Sequence, residues 1–191
     1  MAPRGLYQRG LSQAERWALH RSELIRATAE MLNERQTPSV QSIVRRAGKG
    51  RNTFYAHFAG LEQATRAVES SAALLVAGRV DGALRTVVAP RERLRGVIAA
   101  WLSAASDSPE LVGAFLSSAS SSRSALLARQ HLRGALEEAR SAGIIAGAVD
   151  EARLLAAVGC FHALVRVRVE GRAAADAIER VAVEMLLRLF R

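Results

Sequence analysis

Lysine is almost missing from this chain of 191 residues: Lys49 stands alone against 26 arginines. Cysteine is as scarce. Cys160 is the single one, so an internal disulfide is excluded and a reducing compartment is expected. Cys160 lies in an apolar helical pattern, where an inert buried thiol is the expectation. Half of the residues are hydrophobic, yet no apolar run reaches 18 residues, which argues against a membrane span. Met1–Gly10 is polar and basic and lacks the apolar stretch of a signal peptide, so a cytoplasmic location is expected. The four histidines, His20, His57, His131 and His162, show no metal-ligand spacing, so neither metal nor cofactor is expected. A serine nucleophile elbow and a phosphate-cradling glycine loop are also missing, and an enzyme is not expected. Glu137-Glu138 reads as a solvated helix face.

What is present begins with charge. The net charge is +9. Residues 1–66 hold 11 basic and 5 acidic residues, a net of +6, while residues 67–191 hold 16 and 13, a net of +3. A GC-rich coding bias would explain arginine over lysine but not this asymmetry. A positive N-terminal field is the electrostatic footprint of nucleic-acid binding.

The same segment carries the sharpest pattern. Ser39 follows Pro38 and can cap a helix with its hydroxyl. Val40, Ile43, Val44 and Ala47 then recur at helical spacing. Gly48 can take the left-handed conformation that stops a helix, and Gly50 can begin the next. Phe54 and Phe58 share a face and would pack on Val44 and Ala47. Arg51, Asn52, Thr53, Tyr55, Ala56 and His57 are left outside. Two short helices around a glycine turn are a helix-turn-helix, which lays its second helix in the major groove. Arginine can hold guanine and asparagine adenine, while threonine and tyrosine hydroxyls suit phosphates. A solvated polar face on an ordinary helical hairpin is the plainer alternative for the polar residues taken alone.

Ile43–Phe58 resembles the DNA-binding signature of the TetR family of transcriptional regulators. Ile43, Ala47, Gly48, Thr53, Tyr55 and Phe58 match it directly, and Val44 and Phe54 match in character. Four positions depart from it. Lys49 replaces an apolar turn residue, Gly50 a serine cap, Leu61 a phosphate-touching lysine and Gln36 a glycine. Lys49 is a candidate to supply the charge that Leu61 lacks. The resemblance implies a DNA face of Gln41, Arg45, Lys49, Arg51, Asn52, Thr53, Tyr55 and His57. It also implies a double-stranded, palindromic operator, a small-molecule effector and a homodimer, the whole acting as a repressor. The rival expectation is a helical protein-interaction or ligand-binding protein whose degenerate head does not bind DNA.

No strand-like alternation and no internal repeat stands out, so the expected fold is all-α with about nine helices. A DNA-binding domain is expected over residues 1–60, with residues 1–12 as a basic arm or a tail without a role. A sensing and dimerising domain is expected over residues 61–191. A first helix from Gln13 to Arg35 shows an apolar stripe of Trp17, Leu24, Ala27 and Met31. A long helix follows from Leu61 to about Val87, weakened by Gly78 and Gly82. Pro90 suits the first turn of another helix, and Ser117–Ser122 reads as a loop. By the resemblance, the effector pocket lies in the C-terminal part, and Trp101, Phe115, Leu127 and His131 are its candidate residues. Few aromatics and scattered charges there favour an apolar or weakly polar ligand. The last two helical patterns carry apolar stripes through Leu154, Val158 and Val165 and through Ile178, Val181 and Met185. Either one chain buries both stripes in its own core, or two copies pair them in a four-helix bundle. The dimer is preferred because one head alone reads too few base pairs.

Overall fold

A computed structural model describes residues 12–117 and 121–191. Among the described residues the chain is all-α, an N-terminal helix-turn-helix head followed by a helical body. Its helices are α1 (Gln13–Asn33), α2 (Val40–Ala47), α3 (Arg51–His57), α4 (Leu61–Thr86), α5 (Pro90–Asp107), α6 (Pro109–Ser117), α7 (Ser121–Ser141), α8 (Glu151–Val169) and α9 (Ala175–Leu189). The arm expected over residues 1–12 lies outside the described residues except for Ser12. Of the serine-rich loop expected at Ser117–Ser122, residues 118–120 lie outside them too, and Ser121 already opens α7.

Side chains set the helix starts. The Ser12 hydroxyl accepts from the Glu15 amide at 3.2 Å, and the Glu15 carboxylate accepts from the Ser12 amide at 2.7 Å. That reciprocal pair satisfies two of the free donors of α1. Ser39 and Ser42 repeat the device at α2. Pro90 occupies the first turn of α5, and Asp150 caps α8 by accepting from the Arg153 amide at 2.9 Å.

Four helix ends share one stop. The chain turns left-handed just past the last helical residues, at Arg35 (φ 58°), Gly48 (φ 64°), Gly143 (φ 71°) and Gly171 (φ 67°). In each case the next amide donates back into the helix: Gln36 to Met31, Lys49 to Val44, Ile144 to Ala139 and Arg172 to Val167, all at 2.8–3.0 Å. Glycine takes this conformation freely, whereas a residue with a Cβ loses on the order of 1–2 kcal/mol. Helix α1 alone among these four stops on a side chain. It therefore ends at Asn33 rather than at the expected Arg35.

The head core joins Leu24, Ala27 and Met31 of α1 to Ile43 and Val44 of α2, Phe54 of α3, Phe58, and Ala64 of α4. Trp17, expected in the same stripe, is 51% exposed. Helix α4 belongs to both regions, since Ala64 packs in the head core while Ala72, Val76 and Val80 pack in the body. Gly78 and Gly82 lie within it without breaking it. The body core runs through α5, α7, α8 and α9 and is centred on Trp101, Phe115, Phe161 and Phe190, all fully buried. Between the two regions, Ala29, Val68 and Ala114 form a small contact layer. Here α6 lies so close to α1 that a Cβ on Gly113 would collide with the Asn33 side chain and stand 2.9 Å from Val169 Cγ1.

Candidate nucleic-acid interface and sensing core

Phe54 and Phe58 hold α3 against the head, with ring centroids 5.5 Å apart. The opposite side of α3 presents Arg51, Asn52, Tyr55 and Ala56 to solvent, with Thr53 half-buried beside them. Gln41 and Arg45 of α2 are exposed too. Neither Arg45 nor Arg51 has an acidic partner among the described residues, so both guanidiniums are free to meet an anion. Neighbouring Arg46 is spent, because it donates twice to Glu34, at 2.8 and 2.9 Å.

Two candidate residues leave this face. The Lys49 ammonium lies 2.7 Å from Oε2 of Glu23 on α1, an atom otherwise cut off from solvent and from hydrogen-bond donors. Its charge is therefore used inside the head, and it does not make up for Leu61. Leu61 itself packs against the head core, which explains an apolar residue there. His57 turns inward against Trp17, ring centroids 3.9 Å apart, and both of its ring nitrogens are buried without a partner. Burial, and then the Arg21 and His20 charges, hold its pKa below the ordinary histidine value. A neutral, enclosed imidazole does not read bases. The phase of α3 alone could not reveal this, since the covering ring comes from α1. Arg21, not singled out from the sequence, lies 4.6 Å over the Phe58 ring and donates to the His57 carbonyl at 3.5 Å. The α3–α4 turn is closed by the Gln63 side chain, which accepts from the Ala59 amide at 2.5 Å.

In the body the four pocket candidates join one cluster, with Trp101 and Phe115 buried and Leu127 packed against them. Trp101 Nε1 donates to His131 Nδ1 at 3.3 Å, which leaves the His131 proton on Nε2. Phe161 and His162 of α8, not among the expected pocket residues, flank the same indole at 5.7 and 5.9 Å. Burial lowers the pKa of both histidines. At His131 the Asp81 charge opposes this; at His162 a hydrogen bond with the Ser124 backbone opposes it and Arg166 reinforces it. His162 Nε2 is buried without a partner. A buried imidazole nitrogen without a partner, set among apolar rings, is the kind of group that would meet a weakly polar ligand.

The expected dimer stripe needs correcting. Leu154, Val158, Val165 and Ile178 are buried in the chain's own core, Met185 packs against that core, and Val181 stays 53% exposed. Both stripes point inward because α8 and α9 close the body over α5. The face that α8 leaves open instead runs through Ala152, Leu155, Ala156, Gly159, Cys160 and Ala163. Cys160 is thus exposed, contrary to expectation.

Among the described residues no group of three or more His, Cys, Asp or Glu side chains could hold a metal, and no helix is long and apolar enough to cross a membrane. No family model matches the sequence, and no curated protein matches it. Solved structures do. A TetR-like transcriptional regulator from Rhodococcus sp. RHA1 superposes with a TM-score of 0.73 at 18% identity, over 90% of this chain and 95% of that one. A TetR family transcription regulator from Marinobacter aquaeolei VT8 gives 0.73 at 20% identity, over 93% and 98%. The TetR family regulator PfmR from Thermus thermophilus gives 0.72 at 19% identity, over 86% and 97%. Over about nine-tenths of its length the chain has the fold of the TetR-family transcriptional regulators.

Proposed function

We propose that this chain is a ligand-responsive, DNA-binding transcriptional regulator, a cytoplasmic repressor that binds a palindromic operator as a homodimer. The observation that carries the reading is the outer side of α3. Arg51, Asn52 and Tyr55 project from a helix fixed behind by two buried phenylalanines, with unpaired Arg45 beside them. A rigid anchor under unspent donors is what base reading requires. The DNA face we propose is Gln41, Arg45, Arg51, Asn52, Thr53 and Tyr55, without Lys49 and His57. Pairing of two copies through the open side of α8, around Leu155 and Gly159 and with Val181 of α9, would give two heads for two half-sites.

The effector is a small, weakly polar molecule held beside Trp101, His131 and His162. It acts only through a difference in affinity between two arrangements of the heads. No catalytic role is assigned to any residue. A gel shift against the promoter beside its own gene tests the proposal: a retarded, competable complex is expected. The alternative of a head that has lost DNA binding draws on two observations. Gly50 gives α3 no side-chain cap, and Lys49 is tied to Glu23. Absence of any complex at low salt, with an intact fold, would favour it.

A further inference from the structure

We infer a second ligand site, for a small oxyanion, at the junction of head and body. A cavity of about 380 Å³ opens there between Leu32, Arg35 and Gln36 at the end of α1, Leu116 and Ser117 at the end of α6, and Arg166 of α8. It lies within the size range of small-molecule sites. Two arginines line it, one from the head and one from the body, and neither has an acidic partner within ion-pair distance among the described residues. Residues 1–11 and 118–120 contain no Asp or Glu that could serve. Elsewhere in the body acidic partners abound, as in Arg79–Asp107, Arg93–Glu138, Arg95–Glu179 and Arg133–Glu151.

Arg35 is also the residue that replaces glycine in the stop shared by the ends of α1, α2, α7 and α8. A left-handed arginine costs stability that glycine would not, and such strain gathers at functional positions. The residue that incurs the cost lines the cavity, and its guanidinium has no acidic partner among the described residues. Two planar forks of donors around one space match a carboxylate or a phosphate, which each guanidinium can hold through two bonds. Leu32 and Leu116 offer an apolar wall for the body of such a ligand. An anion bridging Arg35 and Arg166 would tie the end of α1 to α8 and act as a strut between head and body. The site borders the Trp101 cluster, with Arg166 one helical turn past His162 and Leu116 packed against the body core, but it does not depend on the operator-binding reading. Only its effect on operator affinity does.

The test uses the full chain at constant ionic strength, titrated against a chloride reference with inorganic phosphate in one arm and butyrate in another. A saturable rise of the thermal midpoint is expected in at least one arm, roughly 3–6 °C at ten times Kd for a chain of this size. A response to phosphate alone names a phosphate ligand, and one to butyrate alone names a carboxylate with an apolar body. Arg166→Gln and Arg35→Gly should each abolish the rise, and Arg140→Gln, an exposed arginine elsewhere, should keep it. Because Arg35→Gly relieves the left-handed strain, it should start at least as stable as the wild type, so its lost response is not misfolding. No saturable rise in either arm, or a wild-type response in both cavity variants, overturns the site. So does a loss of operator affinity in Arg35→Gly when the wild type shows no anion response, which would assign Arg35 to DNA phosphate. Wild-type operator binding in chloride, read in the same series, shows separately whether the regulator reading stands.

Discussion

The head and the body solve the packing problem at different scales. In the head, the core is eight buried residues from α1, α2, α3, the turn after α3 and the start of α4, and Phe54 and Phe58 are its largest side chains. In the body, Trp101, Phe115, Phe161 and Phe190 sit among many aliphatic neighbours from α4 to α9. A small core makes each contact a large share of regional stability. A large one can rearrange locally while the rest holds. The difference suits a recognition unit that must keep one shape and a sensing unit that must exchange one shape for another.

The harshest way to break that comparison is Phe54→Ala. It should cost about 3–5 kcal/mol and let the head unfold well before the body. Chemical denaturation followed by circular dichroism should then show two transitions, with operator binding lost. A single transition shared by both regions would mean that head and body stand or fall together.

The junction comes next. Gly113→Ala should lower stability by about 1–3 kcal/mol, because overpacking against Asn33 and Val169 outweighs the better helix propensity of alanine. Adding Asn33→Ala should recover part of the loss. A double variant as weak as the single would place the strain at Val169 instead. On the DNA side, Arg51→Ala should cost about 1–3 kcal/mol of specific binding in a gel-shift titration, with the fold unchanged. Unaltered affinity for the cognate operator would remove Arg51 from the reading face.

Acid should weaken both regions. His57, His131 and His162 all have lowered pKa values in the folded chain, chiefly through burial. The unfolded chain binds their protons near pH 6.5. The stability they confer is therefore complete above that pH and is lost as pH falls through it toward the lower folded values. Each histidine adds at most about 1.4 kcal/mol per pH unit to the slope. Urea midpoints measured from pH 7.5 to 5.5 should fall, less steeply in His162→Phe than in the wild type. The smallest effect is expected for Lys49→Ala, which strands the Glu23 carboxylate and should cost about 1 kcal/mol of stability. It should leave the salt dependence of operator binding unchanged, and a flatter slope would return Lys49 to the DNA.

Much of this contrast is legible in the sequence where local rules govern. Ser39 as a cap, Gly48 as a left-handed stop and the Phe54–Phe58 pair as an anchor depend on neighbours within a few positions, and the structure has all three. What the sequence hides depends on distant partners. The phase of α3 points His57 outward, but Trp17 reaches it from α1, about 40 residues earlier in the chain. The turn leaves Lys49 open to DNA, but Glu23 claims it. The stripes of α8 and α9 are visible, yet periodicity cannot tell whether an apolar face meets its own chain or a second copy, and burial of Leu154 and Ile178 in the body core decides that. The Arg35–Arg166 cavity joins positions 131 apart in the sequence and leaves no local signal.

The pairing of Trp17 with His57 gives the chain an optical property. The two tryptophans divide between the regions, Trp17 half-exposed in the head and Trp101 sealed in the body. An indole in contact with water emits at longer wavelength than one enclosed by hydrocarbon, so their signals separate by colour. A protonated imidazole in contact with an indole quenches it, so light from Trp17 reports the charge on His57 and any parting of α1 from α3. Trp101, bonded to His131, reports what enters the body core. One cuvette can thus register an effector arriving in the body and the head responding to it, without a label on either.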